Sequence, residues 1–206
     1  MNNMKPMEIE ENSFRIITEE LGDKKIAKEN ELVVKRVIHT TADFDYADNL
    51  CFSENVCQNA IEMLKNGVDI VTDTSMVKAG INKKILAQLG GQVHCFVADE
   101  DVAKEALERK VTRSTIAVEK AAKLTKPMFY VVGNAPTALI RLDSLIKEGK
   151  IAPAVIIGVP VGFVNVVESK ELIMKSGVPY IVAKGRKGGS NVAASIINAL
   201  MYQIKR

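Results

Sequence analysis

Two hydrophobic patterns alternate along the chain. Short runs rich in β-branched residues are separated by longer stretches in which apolar residues recur every three or four positions. The short runs are typical of strands and the longer stretches of amphipathic helices. Strands are predicted at residues 33–38, 68–72, 93–97, 128–132, 154–157 and 179–182. Helices are predicted at residues 8–21, 55–65, 104–109, 114–124 and 192–204.

The alternation of strands and helices predicts the fold class. Parallel strands need crossover connections, and helical crossovers cover both faces of a sheet. We therefore expect an α/β protein with a three-layer, doubly wound, mainly parallel sheet of about six strands and helices on both faces. No linker rich in Pro, Gly or Ser and no internal repeat divides the 206 residues. Residues 1–206 are accordingly predicted to form a single domain.

Composition restricts the partners. The formal net charge is only +3 at pH 7, so no field of the whole protein argues for a nucleic-acid partner. No apolar run approaches the length of about 20 residues that spans a bilayer, and residues 1–11 lack the apolar centre of a signal peptide. Cys51, Cys57 and Cys95 show no C-x-x-C spacing and are expected to be free thiols. We expect a cytoplasmic protein without a membrane partner.

Polar and glycine-rich segments follow five of the predicted strands. The carboxyl ends of parallel strands meet at one edge of a sheet, where α/β proteins bind their ligands. The sequence therefore predicts a ligand site at this edge. The segments are His39-Thr40-Thr41, Asp73-Thr74, Gly133-Asn134-Ala135-Pro136-Thr137, Gly158-Val159-Pro160-Val161-Gly162 and Gly185-Arg186-Lys187-Gly188-Gly189-Ser190.

His39 is one of two histidines and is the candidate acid or base. Imidazole is the side chain whose ordinary pKa lies nearest neutrality, which suits a histidine at a strand end to proton transfer. A structural or merely exposed role is the alternative, and it is the favoured role for His94 inside a predicted strand. The histidines and cysteines lack the spacing of a zinc site, so no metal is expected.

The segment at residues 185–190 is a candidate anion site. It precedes the last predicted helix, where unpaired backbone N–H groups and the helix dipole favour an anion. Its pattern is neither Walker A nor G-x-G-x-x-G, and a flexible basic turn is the alternative. Arginine and lysine side chains that can pair with carboxylates are Arg15, Arg36, Arg113, Lys184 and Arg186.

Seven strings resemble the precorrin-8X methylmutase family in order and spacing, and together they cover nearly the whole chain. They are residues 36–46 (RVIHTTADFDY), 72–81 (TDTSMVKAGI), 112–114 (TRS), 133–139 (GNAPTAL), 158–164 (GVPVGFV), 168–170 (ESK) and 185–190 (GRKGGS). The resemblance implies an isomerase that moves a methyl group from C-11 to C-12 of the corrin ring of precorrin-8, with or without cobalt, to give hydrogenobyrinic or cobyrinic acid in cobalamin biosynthesis. It also implies a homodimer that needs no cofactor.

In this resemblance His39 is the proton donor, and the substrate is a tetrapyrrole bearing several carboxylates. The expected substrate-binding residues are Ser13, Arg15, Thr40, Thr41, Asp73, Arg113, Ser114, Asn134, Thr137, Lys184, Gly185, Arg186, Gly188, Gly189 and Ser190. Ser13 and Arg15 reach the site only if the first helix packs over the strand ends. Alternatives are a tetrapyrrole carrier without turnover and a nucleotide-binding oxidoreductase. The latter lacks the glycine fingerprint after the first predicted strand. Of the two substrates, we expect the cobalt-containing one.

Overall fold

The computed structural model describes residues 6–205, which build a six-stranded sheet. Its strands are β1 (Leu50–Phe52), β2 (Asp69–Thr72), β3 (Val93–His94), β4 (Met128–Val132), β5 (Val155–Gly158) and β6 (Tyr180–Ala183). They are ordered β1-β6-β5-β4-β2-β3. β1 is antiparallel to β6, and every other neighbouring pair is parallel. The expected mainly parallel sheet is confirmed.

Eleven helices are assigned among residues 6–205. They are α1 (Pro6–Leu21), α2 (Glu31–Thr41), α3 (Tyr46–Asn49), α4 (Val56–Lys65), α5 (Ser75–Gly80), α6 (Lys83–Gln88), α7 (Glu100–Arg109), α8 (Arg113–Ala121), α9 (Pro136–Lys147), α10 (Val166–Met174) and α11 (Ser190–Tyr202). None of them is long and apolar enough to cross a membrane. The five helices predicted from the sequence are all present, within a few residues of the expected bounds.

The sheet separates two hydrophobic cores, because successive side chains of a strand point to opposite faces. In β4, for example, Phe129 and Val131 belong to one core and Tyr130 and Val132 to the other. The first core is covered by α1, α2, α4, α5, α6 and α11. The second is covered by α8, α9 and α10, with α7 packed against α8. The three-layer architecture is confirmed.

The first predicted strand is wrong, since residues 33–38 lie in α2. Its apolar side chains Val33, Val34, Val37 and Ile38 are all buried against the first core. Positions i, i+1, i+4 and i+5 lie on one face of a helix, and this burial outweighs the strand preference of β-branched residues. The strand count is nevertheless six, because β1, which was not predicted, pairs antiparallel at the edge of the sheet.

His39 therefore does not follow a strand, yet it lies at the carboxyl edge of the sheet. Helix α2 packs antiparallel to α11. The Arg36 guanidinium, in the middle of α2, lies 5.3 Å from the ring centre of Tyr202, the last residue of α11. At the other end Lys187, just before α11, contacts Asp43, just after α2. Because α11 begins at the carboxyl end of β6, the last turn of α2 arrives at that edge.

Candidate functional site

Asp73 ties together the loops that follow β2 and β4. Its buried carboxylate accepts backbone N–H bonds from Gly133, Asn134 and Ala135 at 2.9, 2.8 and 2.8 Å. Burial raises the pKa of this carboxyl, while the three N–H donors act in the opposite direction. Chain connections from β2 and β4 diverge here, which is where open α/β sheets form their crevice. Both oxygens of Asp73 therefore hold the loop, and its contact with a substrate stays a prediction.

The loop after β4 approaches the start of α11 closely. A Cβ atom on Gly133 would lie 2.8 Å from the Cα atom of Ser190 and 2.9 Å from a methyl group of Val77. The Ser190 hydroxyl is 3.1 Å from that of Thr74, which caps α5. Glycine at position 133 thus lets three loops at the carboxyl edge pack against one another.

The loop at residues 185–190 rests on the loop after β5. Gly189 N–H donates to the Val159 carbonyl at 2.8 Å, and Gly162 N–H donates to the Arg186 carbonyl at 3.2 Å. A Cβ atom on Gly188 would lie only 2.1 Å from the Val159 oxygen. Only glycine fits at this contact, so the sequence fixes the loop against its neighbour.

Lys187 joins this loop to the segment that follows His39. Its ammonium donates to Asp43 and Asp45, both at 2.6 Å. The hydrogen bond and charge of Lys187 lower the pKa of the Asp43 carboxyl, and the two carboxylates raise the pKa of Lys187. The end of α2 and the candidate anion loop are therefore held as one unit.

His39 faces a small apolar cavity of about 220 Å³. Ser13, Ile16 and Ile17 of α1 form one wall, and Ile38 and Phe44 form part of the other. The imidazole is exposed, its ring centre lies 5.5 Å from that of Phe14, and no described residue hydrogen-bonds to it. Its nitrogens are available to a ligand.

The neighbours of His39 do not bond to its ring. Thr40 and Thr41 donate their hydroxyl protons to the carbonyls of Arg36 and Val37 at 2.9 and 2.8 Å. Ser13 lines the His39 cavity, although its hydroxyl donates to the Ile9 carbonyl at 2.9 Å. The first helix thus does pack beside the site, as the prediction for Ser13 required.

Two of the arginines predicted to bind carboxylates have partners within the protein. Arg15 pairs with Glu19 at 2.8 Å and does not line the His39 cavity. Arg36 pairs with Glu10 at 2.6 Å and lies over the ring of Phe14. Arg36 therefore joins α2 to α1, whereas the pair of Arg15 with Glu19 is an exposed contact within α1.

Other cations at the carboxyl edge form no ion pair within residues 6–205. Arg113 begins α8 and is exposed, Lys184 follows β6 and is exposed, and Arg186 lies 5.4 Å from the ring centre of exposed Phe163. Lys78 of α5 is half-buried and likewise has no acidic partner. By contrast, the nearby Lys187 and the more distant Lys120, Lys126, Arg109 and Arg141 all form salt bridges. Exposed Lys175 elsewhere also forms no ion pair, so the position of these cations at the carboxyl edge, not the lack of a partner alone, makes them candidates to bind an anionic ligand.

Two further predicted segments meet beside α8. The Thr112 hydroxyl caps α8 by accepting the Thr115 N–H and lies 3.0 Å from that of Thr137 at the start of α9. Ser114 is half-buried in the first turn of α8, and the exposed Asn134 side chain has no partner among the described residues. The structure therefore brings the segments at 112–114 and 133–137, which both contain predicted binding residues, to one place.

The remaining metal-ligating side chains do not assemble. No group of three or more His, Cys, Asp or Glu that could hold a metal ion occurs within the described part of the chain. Cys57 is buried, Cys51 lies on β1 and Cys95 is half-buried, all as free thiols. His94 is hydrogen-bonded to Asp69 at 2.9 Å.

Fold and site together define an α/β protein whose candidate ligand site combines one free histidine with unpaired cations at the carboxyl edge of a mostly parallel sheet. Residues 8–203 match the family model described as precorrin-8X methylmutase. The cobalt-precorrin-8 methylmutase of Salmonella typhimurium is 45% identical, over 97% of this chain and 96% of that protein. The cobalt-precorrin-8 methylmutase of Priestia megaterium is 42% identical, over 96% and 88%.

A crystal structure of the precorrin-8X methyl mutase from Thermus thermophilus superimposes with a TM-score of 0.86 at 37% identity, covering 94% of this chain and 96% of that one. The chain belongs to the precorrin-8X methylmutase family. It is accordingly an enzyme of the isomerase class, an intramolecular methyl transferase.

Sequence reasoning missed two lysines that organise the site. Lys187 was seen only as part of a basic turn, and Lys170 only as part of a family string. The signal for Lys170 was available, because a lysine inside an apolar helical face, VVESKELIM, predicts a buried cation. Its partners were not foreseeable, since they are backbone carbonyls of another loop.

Proposed function

We propose that the chain moves a methyl group from C-11 to C-12 of the corrin ring of precorrin-8 or its cobalt complex, in cobalamin biosynthesis. The product is hydrogenobyrinic or cobyrinic acid, and His39 is the proton donor. The observation that carries this proposal is the imidazole of His39, which is exposed, has no described partner and borders an apolar cavity.

The chemistry needs one proton and no net change in protonation. A methyl shift around a conjugated macrocycle can proceed as a sigmatropic rearrangement, and protonation of a ring nitrogen lowers its barrier by making the system electron-poor. His39 donates that proton and recovers it when the shift is complete. Such acid catalysis contributes about 10² to 10⁴ in rate, and positioning of the ring contributes further.

The charge pattern of the edge suits the substrate. A corrinoid of this pathway carries acetate and propionate carboxylates around an apolar ring. The unpaired cations Arg113, Lys184 and Arg186 offer charge-assisted hydrogen bonds to such groups. The apolar side chains Ile16, Ile17 and Phe44 offer contact to the ring itself. The other predicted binding residues remain proposals on the same footing.

The size of the cavity supports a site shared between two chains. Pockets for drug-sized ligands measure about 300–1,000 Å³, so the cavity of about 220 Å³ beside His39 accommodates only one edge of a macrocycle. The nearby loop exposes Val161, Phe163 and Val164 by 47%, 81% and 77%. Apolar side chains exposed together are typical of an interface. We therefore propose a homodimer, which static light scattering at micromolar concentration tests; a monomer would contradict it.

The experiment that tests the function is the visible absorption spectrum over time after mixing the purified protein with precorrin-8 and, separately, with its cobalt complex. We expect conversion to the corrin-acid spectrum, faster with the cobalt complex, and loss of conversion in His39→Ala. Full turnover by a folded His39→Ala protein would contradict the proton-donor role. Tight binding of both forms without conversion would indicate a tetrapyrrole carrier instead.

A further inference from the structure

Lys170 of α10 is a buried cation without a counter-ion. Its side chain is among the largest fully buried ones, with the residue 1% exposed. The ammonium donates to the carbonyls of Gly185 and Lys187, both at 2.8 Å. No carboxylate of residues 6–205 forms an ion pair with it. The charge therefore lies directly beneath the loop at residues 185–190.

A charge in this position is costly to the folded protein. Removing an ammonium from water is unfavourable unless an opposite charge compensates it. Desolvation lowers the pKa of Lys170 to about 8, so the group still carries its proton at pH 7 in most molecules. An apolar side chain such as Met would fill the same space without this cost. A lysine at this position is therefore explained by the two loop carbonyls that it binds and by its positive charge beneath the loop.

The loop above Lys170 has unused donors. The backbone N–H groups of Ser190, Asn191 and Val192, in the first turn of α11, make no hydrogen bond within the described residues. Such groups are typical partners of anions. The two loop carbonyls, which would repel an anion, are drawn to the Lys170 ammonium. Gly188 and Gly189 contact the Val159 carbonyl, and this contact fixes the position of the loop.

We propose that Lys170 is the positioning residue of a carboxylate-binding loop at residues 185–190. Its ammonium holds the carbonyls of Gly185 and Lys187 inward and supplies the positive charge that one acidic side chain of the substrate neutralises. This inference rests on the proposed function, because it assumes a substrate with peripheral carboxylates. Lys170 touches no substrate atom, but we infer that the affinity for one substrate carboxylate depends on it.

The test compares Lys170→Met with Lys175→Met. Lys175 caps the carboxyl end of the same helix, is exposed and forms no ion pair within the described residues. The probes are a porphyrin that carries acetate and propionate side chains and its methyl ester, titrated by visible absorption. We expect Lys170→Met to weaken binding of the acid about tenfold or more, because the positive charge beneath the loop is lost and the two carbonyls are no longer held away from the bound carboxylate. Binding of the ester should be unchanged, and Lys175→Met should behave as the native protein.

Turnover separates positioning from general damage. In Lys170→Met we expect a higher KM for precorrin-8 and a kcat within about threefold of the native value, because His39 is untouched. Equal weakening of acid and ester, or native affinity for the acid, would overturn the inference. Failure of the native protein to bind the acid would also overturn the inference about Lys170. The proposed function would still stand if conversion of precorrin-8 were measured. A native protein that binds the acid through Lys170 but converts nothing would instead refute the proposed function.

A measurement on the native chain covers the case in which Lys170→Met does not fold. Hydrogen exchange of the amides at residues 188–192 is followed with the acid porphyrin and with its ester. We expect protection by the acid alone. Equal protection by both probes, or by neither, would overturn the inference.

Discussion

The two histidines have opposite surroundings. At the carboxyl edge His39 is exposed, has no described hydrogen-bond partner and borders a cavity. His94, the last residue of β3, is mostly buried, stacks on Phe96 and lies 2.9 Å from Asp69, the first residue of β2. One imidazole is available to a ligand and the other is fixed by the protein. Freedom from partners, more than residue type, therefore distinguishes the candidate proton donor.

The carboxyl and amino edges of the sheet each hold a buried aspartate, and the two carboxylates bind different groups. Asp73 at the carboxyl edge binds only backbone N–H groups, and burial raises its pKa. At Asp69 burial also acts to raise the pKa, but the hydrogen bonds from Lys126 and His94 outweigh it and the pKa is lowered. The first carboxylate shapes a loop, whereas the second belongs to a network of charges. Substitutions should therefore affect function at one edge and stability alone at the other.

The largest expected effect is at the histidines. His39→Asn keeps a polar side chain but cannot donate a proton near neutral pH, so turnover should fall by about 10² to 10⁴ with little change in Tm. His94→Gln retains a hydrogen-bonding group for Asp69 and should keep turnover within a few-fold. Steady-state rates with precorrin-8 measure both. Comparable losses in the two variants would remove the distinction between the regions.

The next effect is at Asp73. In Asp73→Asn one accepting oxygen becomes an NH2 group that faces N–H donors of the loop after β4, so buried groups lose their partners. We expect the free energy of unfolding to fall by about 2–4 kcal/mol, together with turnover. Urea unfolding and steady-state rates measure this. A stable variant with native turnover would contradict the loop-holding role.

A smaller effect is expected at Asp69. Asp69→Asn removes the charge that Lys126 meets at 2.7 Å, while the amide still accepts a hydrogen bond. The free energy of unfolding should fall by about 1–2 kcal/mol, with turnover of the remaining folded protein unchanged. Urea unfolding measures the first and initial rates the second. A selective loss of kcat would mean that the amino edge takes part in catalysis.

The smallest effect is a pH dependence from the same group. Because the pKa of Asp69 is lower in the folded chain than in the unfolded one, the unfolded chain binds the proton first as the pH falls. The stabilisation is complete well above the unfolded pKa of about 4 and is lost as the pH falls through the folded value. The Tm difference between the native protein and Asp69→Asn should therefore shrink between about pH 6 and pH 3. A difference independent of pH would contradict this origin.

The sequence predicted most of the fold because the pattern was local. Five strands and five helices were found near their expected bounds, and the glycine and aspartate segments after β2, β4, β5 and β6 lie at one edge as expected. The segment at 33–38 failed because β-branched residues indicate a strand while their spacing indicates a helix. Burial on one face decided between the two.

The site was predicted in part. His39 and Ser13 line one cavity, which agrees with their selection as site residues, whereas the contact of Thr112 with Thr137 was not foreseen. Arg15 and Arg36 were chosen for their charge, but nearby glutamates bind them. A sequence lists the charges without their distances, so it cannot tell a paired arginine from a free one.

By itself the sequence determined the fold class, the family and the residue types at the carboxyl edge, because periodicity and motif order are written along the chain. Only the tertiary structure decided how His39 reaches that edge, on a helix that runs antiparallel to α11. It alone joined Lys187 to Asp43 across 144 positions and buried Lys170 beneath the loop at 185–190. Such contacts depend on which faces pack together in three dimensions, and no local pattern encodes that choice.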